Sequence, residues 1–172
     1  MGVSGVRLYH DQALFKEGSG GYTPWHQDQY YWPLDTDKTV TMWMPLIDIT
    51  PDMGPMVFAS GSYREGHLAP LAISDESEDY FDRLVREQGW STTDPPFMAA
   101  GDATFHTGWT LHRAAPNTTG KVREVMTVIY FADGTRISAI NAGNEGDLRA
   151  LLPDLEEGDL AEGPRTPLLY HE

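Results

Sequence analysis

His26-Gln27-Asp28 sets an imidazole and a carboxylate two residues apart. In an extended strand such positions project to the same face, where they can share one ion. A third ligand must come from elsewhere in the chain. His112, at the end of the strand-like run Thr104 to His112 after the Gly101-Asp102 turn, is the best placed of the remaining histidines. Two histidines and one carboxylate make the facial triad of non-haem Fe(II) oxygenases, which leaves adjacent coordination positions open for a co-substrate and O2. With no Cys in the chain, any transition metal must be held by nitrogen and oxygen ligands. An isolated His-x-Asp is a weak signal, because such triplets arise by chance in hydrated loops. The second half of the pattern is Arg123, eleven residues after His112. It opens a strand expected to return antiparallel to the one bearing His112, so its guanidinium can reach the site and grip a carboxylate bidentately. Taken alone, Arg123 also reads as a surface arginine at a strand start.

The elements that must position these groups are mostly strands. Apolar residues come in short runs separated by Gly, Pro, Asp and Asn, the pattern of many strands joined by turns. Strands are expected over Val6–Phe15, Val40–Ile49, Met56–Ser60, Phe97–Ala100, Thr104–His112 and Val122–Ala132, the last rich in Val, Ile, Thr, Tyr and Phe. One clear helix is expected over Asp75–Gln88, with acids at its start, Arg83 and Arg86 late and Gly89 beyond. From about residue 143 the chain is acidic and turn-rich, with a short helical candidate at Leu148–Leu152 stopped by Pro153. The expected fold is mostly β, a double-stranded β-helix (jelly roll, cupin-like) with one or two peripheral helices, forming a single domain over residues 1–172.

At these residues the sequence resembles the phytanoyl-CoA dioxygenase family. The resemblance rests on TPWHQDQYYW, TMWMPLIDIT, MGPMVFASGS, AGDATFHTGWTLHRAAPN and the segment around Arg123 ending MTVIYF, and spans Val6 to Tyr170. It implies Fe(II) held by His26, Asp28 and His112, and the far carboxylate of 2-oxoglutarate held by Arg123. Trp43 matches an aromatic position that lines the oxoglutarate pocket in relatives, with a plain core position as the alternative. The implied reaction splits 2-oxoglutarate to succinate and carbon dioxide and, with O2, hydroxylates an unactivated C–H bond of a small substrate. His106, six residues before His112, is the chief competitor for the third-ligand role, and the spacing to Arg123 decides for His112. Ala114 stands where relatives often carry a Ser that helps to hold oxoglutarate. Family members usually carry a further N-terminal stretch, so this chain reads as a short form, and either self-association into a homo-oligomer or a missing segment is expected to cover its strands.

Other residues have plainer readings. Lys16 is taken as a solvated strand-end lysine, although contact with the co-substrate is the sharper alternative. His10 could face the cavity, while His67 and His171 look like loop and tail residues. Trp25, Tyr30, Trp32 and Trp109 could form substrate walls or core, and Arg64 is the leading substrate-facing charge. A net charge of −14 with no basic patch argues against nucleic acid, and no run approaches a membrane span. A cytoplasmic enzyme is the simplest reading. Within enzymes, an iron halogenase is blocked by Asp28, and a cupin-like metal isomerase would not need Arg123. Outside enzymes, the alternative is a jelly-roll binding or scaffolding protein with a vestigial metal site.

Overall fold

A computed structural model describes residues 1–172 as two facing antiparallel sheets, the jelly roll expected. The strands are β1 (Gly5–Lys16), β2 (Thr23–His26), β3 (Thr39–Pro45), β4 (Met56–Ala59), β5 (Thr92–Thr93), β6 (Thr104–His106), β7 (His112–Ala114), β8 (Arg123–Ala132) and β9 (Leu168–His171). The larger sheet runs β6-β3-β8-β1-β9 and the smaller β2-β7-β4-β5. On β8 every odd-numbered residue from Arg123 to Phe131 is buried, as period-2 alternation requires when one face meets the other sheet. Its partners Thr39, Thr41, Trp43 and Pro45 on β3 point the same way. On β1, Lys16 pairs with Arg123 and His10 with Ile129, so β1 and β8 run side by side along the whole cavity wall.

Three apolar clusters fix this frame. Trp43, Val125, Met56 and Ala114 close one end between the sheets, and Tyr9, Trp32, Ile129 and Phe131 pack towards the other. Behind the smaller sheet, α1 (Asp75–Gln88) lays Phe81 and Val85 on Trp25 and Leu111. The sequence places α1 correctly at both ends because its stops are local. Ser74 and Ser77 form a reciprocal cap, and Gly89 takes the left-handed conformation at φ 67°. A second helix, α2 (Glu145–Leu151), begins before the expected Leu148, and the acidic tail returns as β9 to pair with β1.

Three expectations need correction. Thr104–His112 is not one strand. The chain leaves the larger sheet after His106, turns through Thr107–Thr110 (Thr110 N to Thr107 O 2.9 Å) and enters the smaller sheet at His112. Arg123 is therefore not on a strand paired with that of His112 but faces it from the opposite sheet. Phe97–Ala100 forms no strand. Only Met98 bridges Ile49, whose own strand has already ended at Pro45, a residue with no N–H to extend the ladder.

The crossing turns on Gly108. Its N–H donates to Thr39 Oγ1 (3.2 Å), its carbonyl accepts from Gln29 N (3.0 Å), and Thr39 Oγ1 donates to Gln29 Oε1 (2.7 Å). A methyl group at Gly108 would lie 2.5 Å from Gln29 Oε1 and 2.6 Å from the Trp32 ring. Gly108→Ala should therefore destabilise the fold by about 1–3 kcal/mol through overpacking, read as a lowered denaturant midpoint. Because Gln29 adjoins Asp28, metal affinity should fall with it. Unchanged stability and metal binding in that variant would mean the turn does not set the site.

Candidate metal and co-substrate site

His26 ends β2, Gln27 is extended, and Asp28 opens a 3-10 turn over Asp28–Tyr31. The expected shared face is thus achieved by a strand end plus one extended residue, not by a continuous strand. Gln27 itself is buried and braces the corner. Its Nε2 donates to the carbonyls of Gly66 (2.8 Å) and Trp109 (2.7 Å), and its Oε1 accepts from Leu68 N (2.9 Å). Sequence reading passed over this residue, because nothing in its spacing marks a brace.

β2 and β7 pair so that His26 and His112 stand opposite each other, with rings 4.2 Å apart. Asp28 Oδ1 lies 3.5 Å from His26 Nε2 and 3.6 Å from His112 Nε2. Ligand atoms of His26, Asp28 and His112 all fall within 4.8 Å of one another. On each imidazole the outer nitrogen is already committed, His26 Nδ1 to Pro24 O (2.7 Å) and His112 Nδ1 to Thr110 O (2.9 Å). Those bonds place a proton on Nδ1 and turn Nε2 towards Asp28, the nitrogen a metal would take. Burial, with His26 and His106 nearby, pushes the His112 imidazole down to about 3, so it is neutral at ordinary pH. Burial works against a charged Asp28. The imidazoles of His112, His106 and His26 outweigh it and hold the carboxyl well below the usual carboxylate range.

His106, the competing histidine, comes from the opposite sheet and meets the other oxygen, Asp28 Oδ2, at 3.4 Å. Thr41 Oγ1 approaches the same oxygen at 3.3 Å. Both therefore orient Asp28 and stand outside the triad of converging ligand atoms. The donor set is two imidazoles and one carboxylate, suited to a divalent metal on nitrogen and oxygen ligands with open positions.

A cavity of about 390 Å³ runs from this cluster to Arg123, lined also by Trp43, Thr127 and Ala114. Arg123 is 4% exposed, donates from Nη1 to Gly54 O, and stands over the Trp43 ring at 5.3 Å. Its Nε is buried without a partner, as is Thr127 Oγ1, and no carboxylate of the protein pairs with the guanidinium. Burial alone lowers Arg123 to about 10. A buried cation without a counter-charge is unfavourable unless a ligand supplies one, and a carboxylate bound here would do so. The residues present fit both an N/O-ligated metal and an anionic co-substrate.

Lys16 is misread as merely solvated. Its Nζ donates to the carbonyls of Gly21 and Ala115 (both 2.9 Å), and burial, then the charge of Arg123, lowers it to about 8. Its neighbour across the β1–β8 register is Arg123, a pairing that only the structure shows. Among the aromatics, Trp25 is core behind the smaller sheet, while Trp32 borders both the inner cavity and an outer one of about 840 Å³ that also touches Tyr30, His67 and Trp109. Arg64 lies under the Tyr63 ring and lines neither cavity. His10 does line the inner cavity.

Comparison with known proteins identifies the family and the fold. The phytanoyl-CoA dioxygenase (PhyH) family matches residues 3–125. The chain is 25% identical over 154 residues to a probable alpha-ketoglutarate-dependent hypophosphite dioxygenase of Stutzerimonas stutzeri, covering 86% of this chain and 52% of that protein. Among solved structures, the non-heme alpha-ketoglutarate-dependent epimerase SnoN from nogalamycin biosynthesis superposes with a TM-score of 0.76 at 26% identity, over 96% of this chain and 65% of that one. The carbocyclase SnoK of the same biosynthesis superposes with a TM-score of 0.75 at 27% identity, over 96% and 63%. A second SnoN structure contains Fe3+, alpha-ketoglutarate and nogalamycin RO, with 28% identity, 95% and 65% coverage and a TM-score of 0.76. The chain thus spans about half the length of the curated relative and under two thirds of these structures.

The geometry separates the two histidines. His112→Ala should abolish stoichiometric Fe(II) binding, whereas His106→Ala should weaken it about 10–100-fold by freeing one oxygen of Asp28. Anaerobic equilibrium dialysis against Fe(II) distinguishes them. Stoichiometric binding by His112→Ala together with none by His106→Ala would exchange their roles.

Proposed function

Because the chain belongs to the phytanoyl-CoA dioxygenase family, we propose that it is a non-haem Fe(II) and 2-oxoglutarate dependent dioxygenase that uses O2 to hydroxylate an unactivated C–H bond of a small organic substrate. The observation that carries this reading is a buried, carboxylate-free Arg123 at one end of the cavity that holds the His26, Asp28 and His112 ligand atoms. Nothing about folding requires those two features together. The relatives named above include a dioxygenase, an epimerase and a carbocyclase. Hydroxylation is thus the narrower part of the proposal.

Bound iron would bring together O2, which supplies the oxidising power, and 2-oxoglutarate, whose decarboxylation to succinate would supply two of the electrons that O2 takes up. The protein's part is placement and exclusion of water. His26, Asp28 and His112 would hold the metal from one side, with the Nδ1 bonds of the two histidines to backbone carbonyls fixing their ring orientation. Thr41 and His106 keep Asp28 from swinging out of that face. Arg123 would take the distal carboxylate of oxoglutarate, and Thr127 Oγ1 is a free donor beside its path. Trp43 would wall that path and hold the guanidinium plane. Residues 1–172 would act as one domain, a reading supported by β9 closing onto β1. No helix is long and apolar enough to cross a membrane. Exposed Leu168, Leu169 and Tyr170 on edge strand β9 support homo-oligomer formation.

Release of labelled carbon dioxide from 2-oxo[1-14C]glutarate tests the function without a known substrate. The wild type should release it only with Fe(II) and O2, and His26→Ala or His112→Ala should release none. Arg123→Ala should raise the oxoglutarate requirement some tens to thousands of fold, since losing one partner of a buried charged pair costs about 2–5 kcal/mol. Full turnover in either histidine variant, or unaltered oxoglutarate affinity in Arg123→Ala, would remove the corresponding assignment.

A pH dependence follows from Lys16. An anion bound at Arg123 favours protonated Lys16, so below about pH 8 no proton need be taken up and affinity is maximal. Above it, binding draws in a proton, and oxoglutarate affinity should decline by up to about tenfold per pH unit. Calorimetric titration between pH 7 and about 9.5 reads this. A flat profile would place Lys16 outside the co-substrate's field.

A further inference from the structure

We propose that His10 and Asp147, at the end of the inner cavity remote from Arg123, anchor a cationic amine of the substrate, with Tyr9 as the residue that positions Asp147. This rests on the dioxygenase reading of the same cavity. Along β8 the inward row begins at Arg123 and reaches Ile129, and β1 runs beside it from Lys16 to His10. At roughly 3.3 Å per residue, His10 lies about 20 Å from the Arg123 end. Thr41, which reaches Asp28, and His10 both pair with Ile129, so oxoglutarate would occupy the stretch from Arg123 to the metal cluster, and His10 stands level with that cluster on the β1 side of β8, where substrate would approach it. His10 and Asp147 both line the cavity there.

Two features make this end a built site. The register of β1 and β8 slips between Leu8 and His10, leaving Tyr9 without a partner on β8. Such a bulge re-aims side chains, and here Tyr9 is fully buried while His10 lines the cavity. Tyr9 Oη donates to Asp147 Oδ2 at 3.1 Å, and the two aromatic rings of Tyr9 and His10 stand 4.9 Å apart. Asp147 is carried by α2, whose Leu148 and Leu151 pack on the cluster containing Tyr9 and Trp32. The preceding loop is pinned by buried Asn144, which accepts from Asn141 N (2.9 Å) and donates to Ala139 O (3.0 Å). Burial raises the Asp147 carboxyl, a penalty that a cationic ligand would relieve and an anionic one would deepen.

Charge accounting selects the ligand class. In the loaded site the two charges of Fe(II) and of oxoglutarate cancel, and Arg123 cancels Asp28. Lys16, which does not line the cavity, stands at the opposite end beside Arg123, and Asp147 is the remaining charge among the cavity residues. An ammonium group meets it with a charge-assisted hydrogen bond, stronger than a hydroxyl can make, and His10 offers a second acceptor.

The test uses the full chain loaded anaerobically with Fe(II) and 2-oxoglutarate, so no turnover occurs, and three probes of equal ring size: cyclohexylamine, cyclohexanol and cyclohexanecarboxylate. Affinity is read by ligand-observed NMR. The wild type should bind the amine at least about tenfold more tightly than the alcohol, with the carboxylate weakest. Asp147→Asn should bring amine and alcohol to within about twofold of each other while Fe(II) and oxoglutarate binding stays as in the parent. Tyr9→Phe should reduce amine binding and leave alcohol binding unchanged, a difference that general loosening of the fold would not produce. Absence of amine preference in the wild type, or its survival in folded Asp147→Asn, overturns the proposal. Should Asp147→Asn not fold, the wild-type ranking and Tyr9→Phe still decide. Amine preference in a protein that fails to bind Fe(II) and oxoglutarate would keep the anchor and sink the dioxygenase reading instead.

Discussion

Everything at this centre depends on keeping one carboxylate, Asp28, charged in a largely buried place. Three imidazoles and a threonine hydroxyl surround it, and two of those imidazoles have their other nitrogen tied to the backbone, so their Nε2 atoms point inward. Burial opposes a charged carboxylate here, and the surrounding structure must impose the arrangement that offsets it. The means are visible. β2 and β7 pair to oppose His26 and His112, Gln27 locks the corner before Asp28, and the Gly108 turn carries the chain across so that His106 arrives from the other sheet.

Arg123 is the matching constraint at the far end. A guanidinium at 4% exposure with an unpartnered Nε makes the opposite demand, for an anion. Between the two lies a cavity whose walls pass from Trp43 and Thr127 to His10 and Asp147. The inward row of β8 alone records this gradient, from Arg123 through Val125 and Thr127 to Ile129 and Phe131. One strand thus supplies a charged end, a polar middle and an apolar end. The fold reaches function through that periodicity.

Much of this was legible beforehand because its causes are local. The alternation of Arg123–Ala132 and the serine cap and terminal glycine of Asp75–Gln88 specify their elements without knowledge of the rest. The triad and Arg123 were legible through spacing, and the structure brings those residues to one cavity. What escaped reading depends on distant contacts. Thr104–His112 looks continuous until Gln29, Trp32 and Thr39 are seen to close on Gly108. Lys16 looks solvated until Ala115, far along the chain, is seen to accept a hydrogen bond from its Nζ. β9 carries exposed residues throughout and has no periodic signal, so only its pairing with β1 defines it. His10 was noted as cavity-facing, but Asp147 was hidden in an acidic tail where one carboxylate resembles the next.

The proposed function requires one cavity to hold Fe(II) and 2-oxoglutarate together, at His26, Asp28 and His112 and at Arg123. The most direct measurement is the anaerobic visible spectrum of the full chain as 2-oxoglutarate is added to protein carrying one equivalent of Fe(II). The expected result is a weak charge-transfer band of the chelate that saturates with oxoglutarate, disappears in His112→Ala and requires far more oxoglutarate in Arg123→Ala. A wild-type protein that retains its iron and develops no such band at saturating oxoglutarate would contradict it.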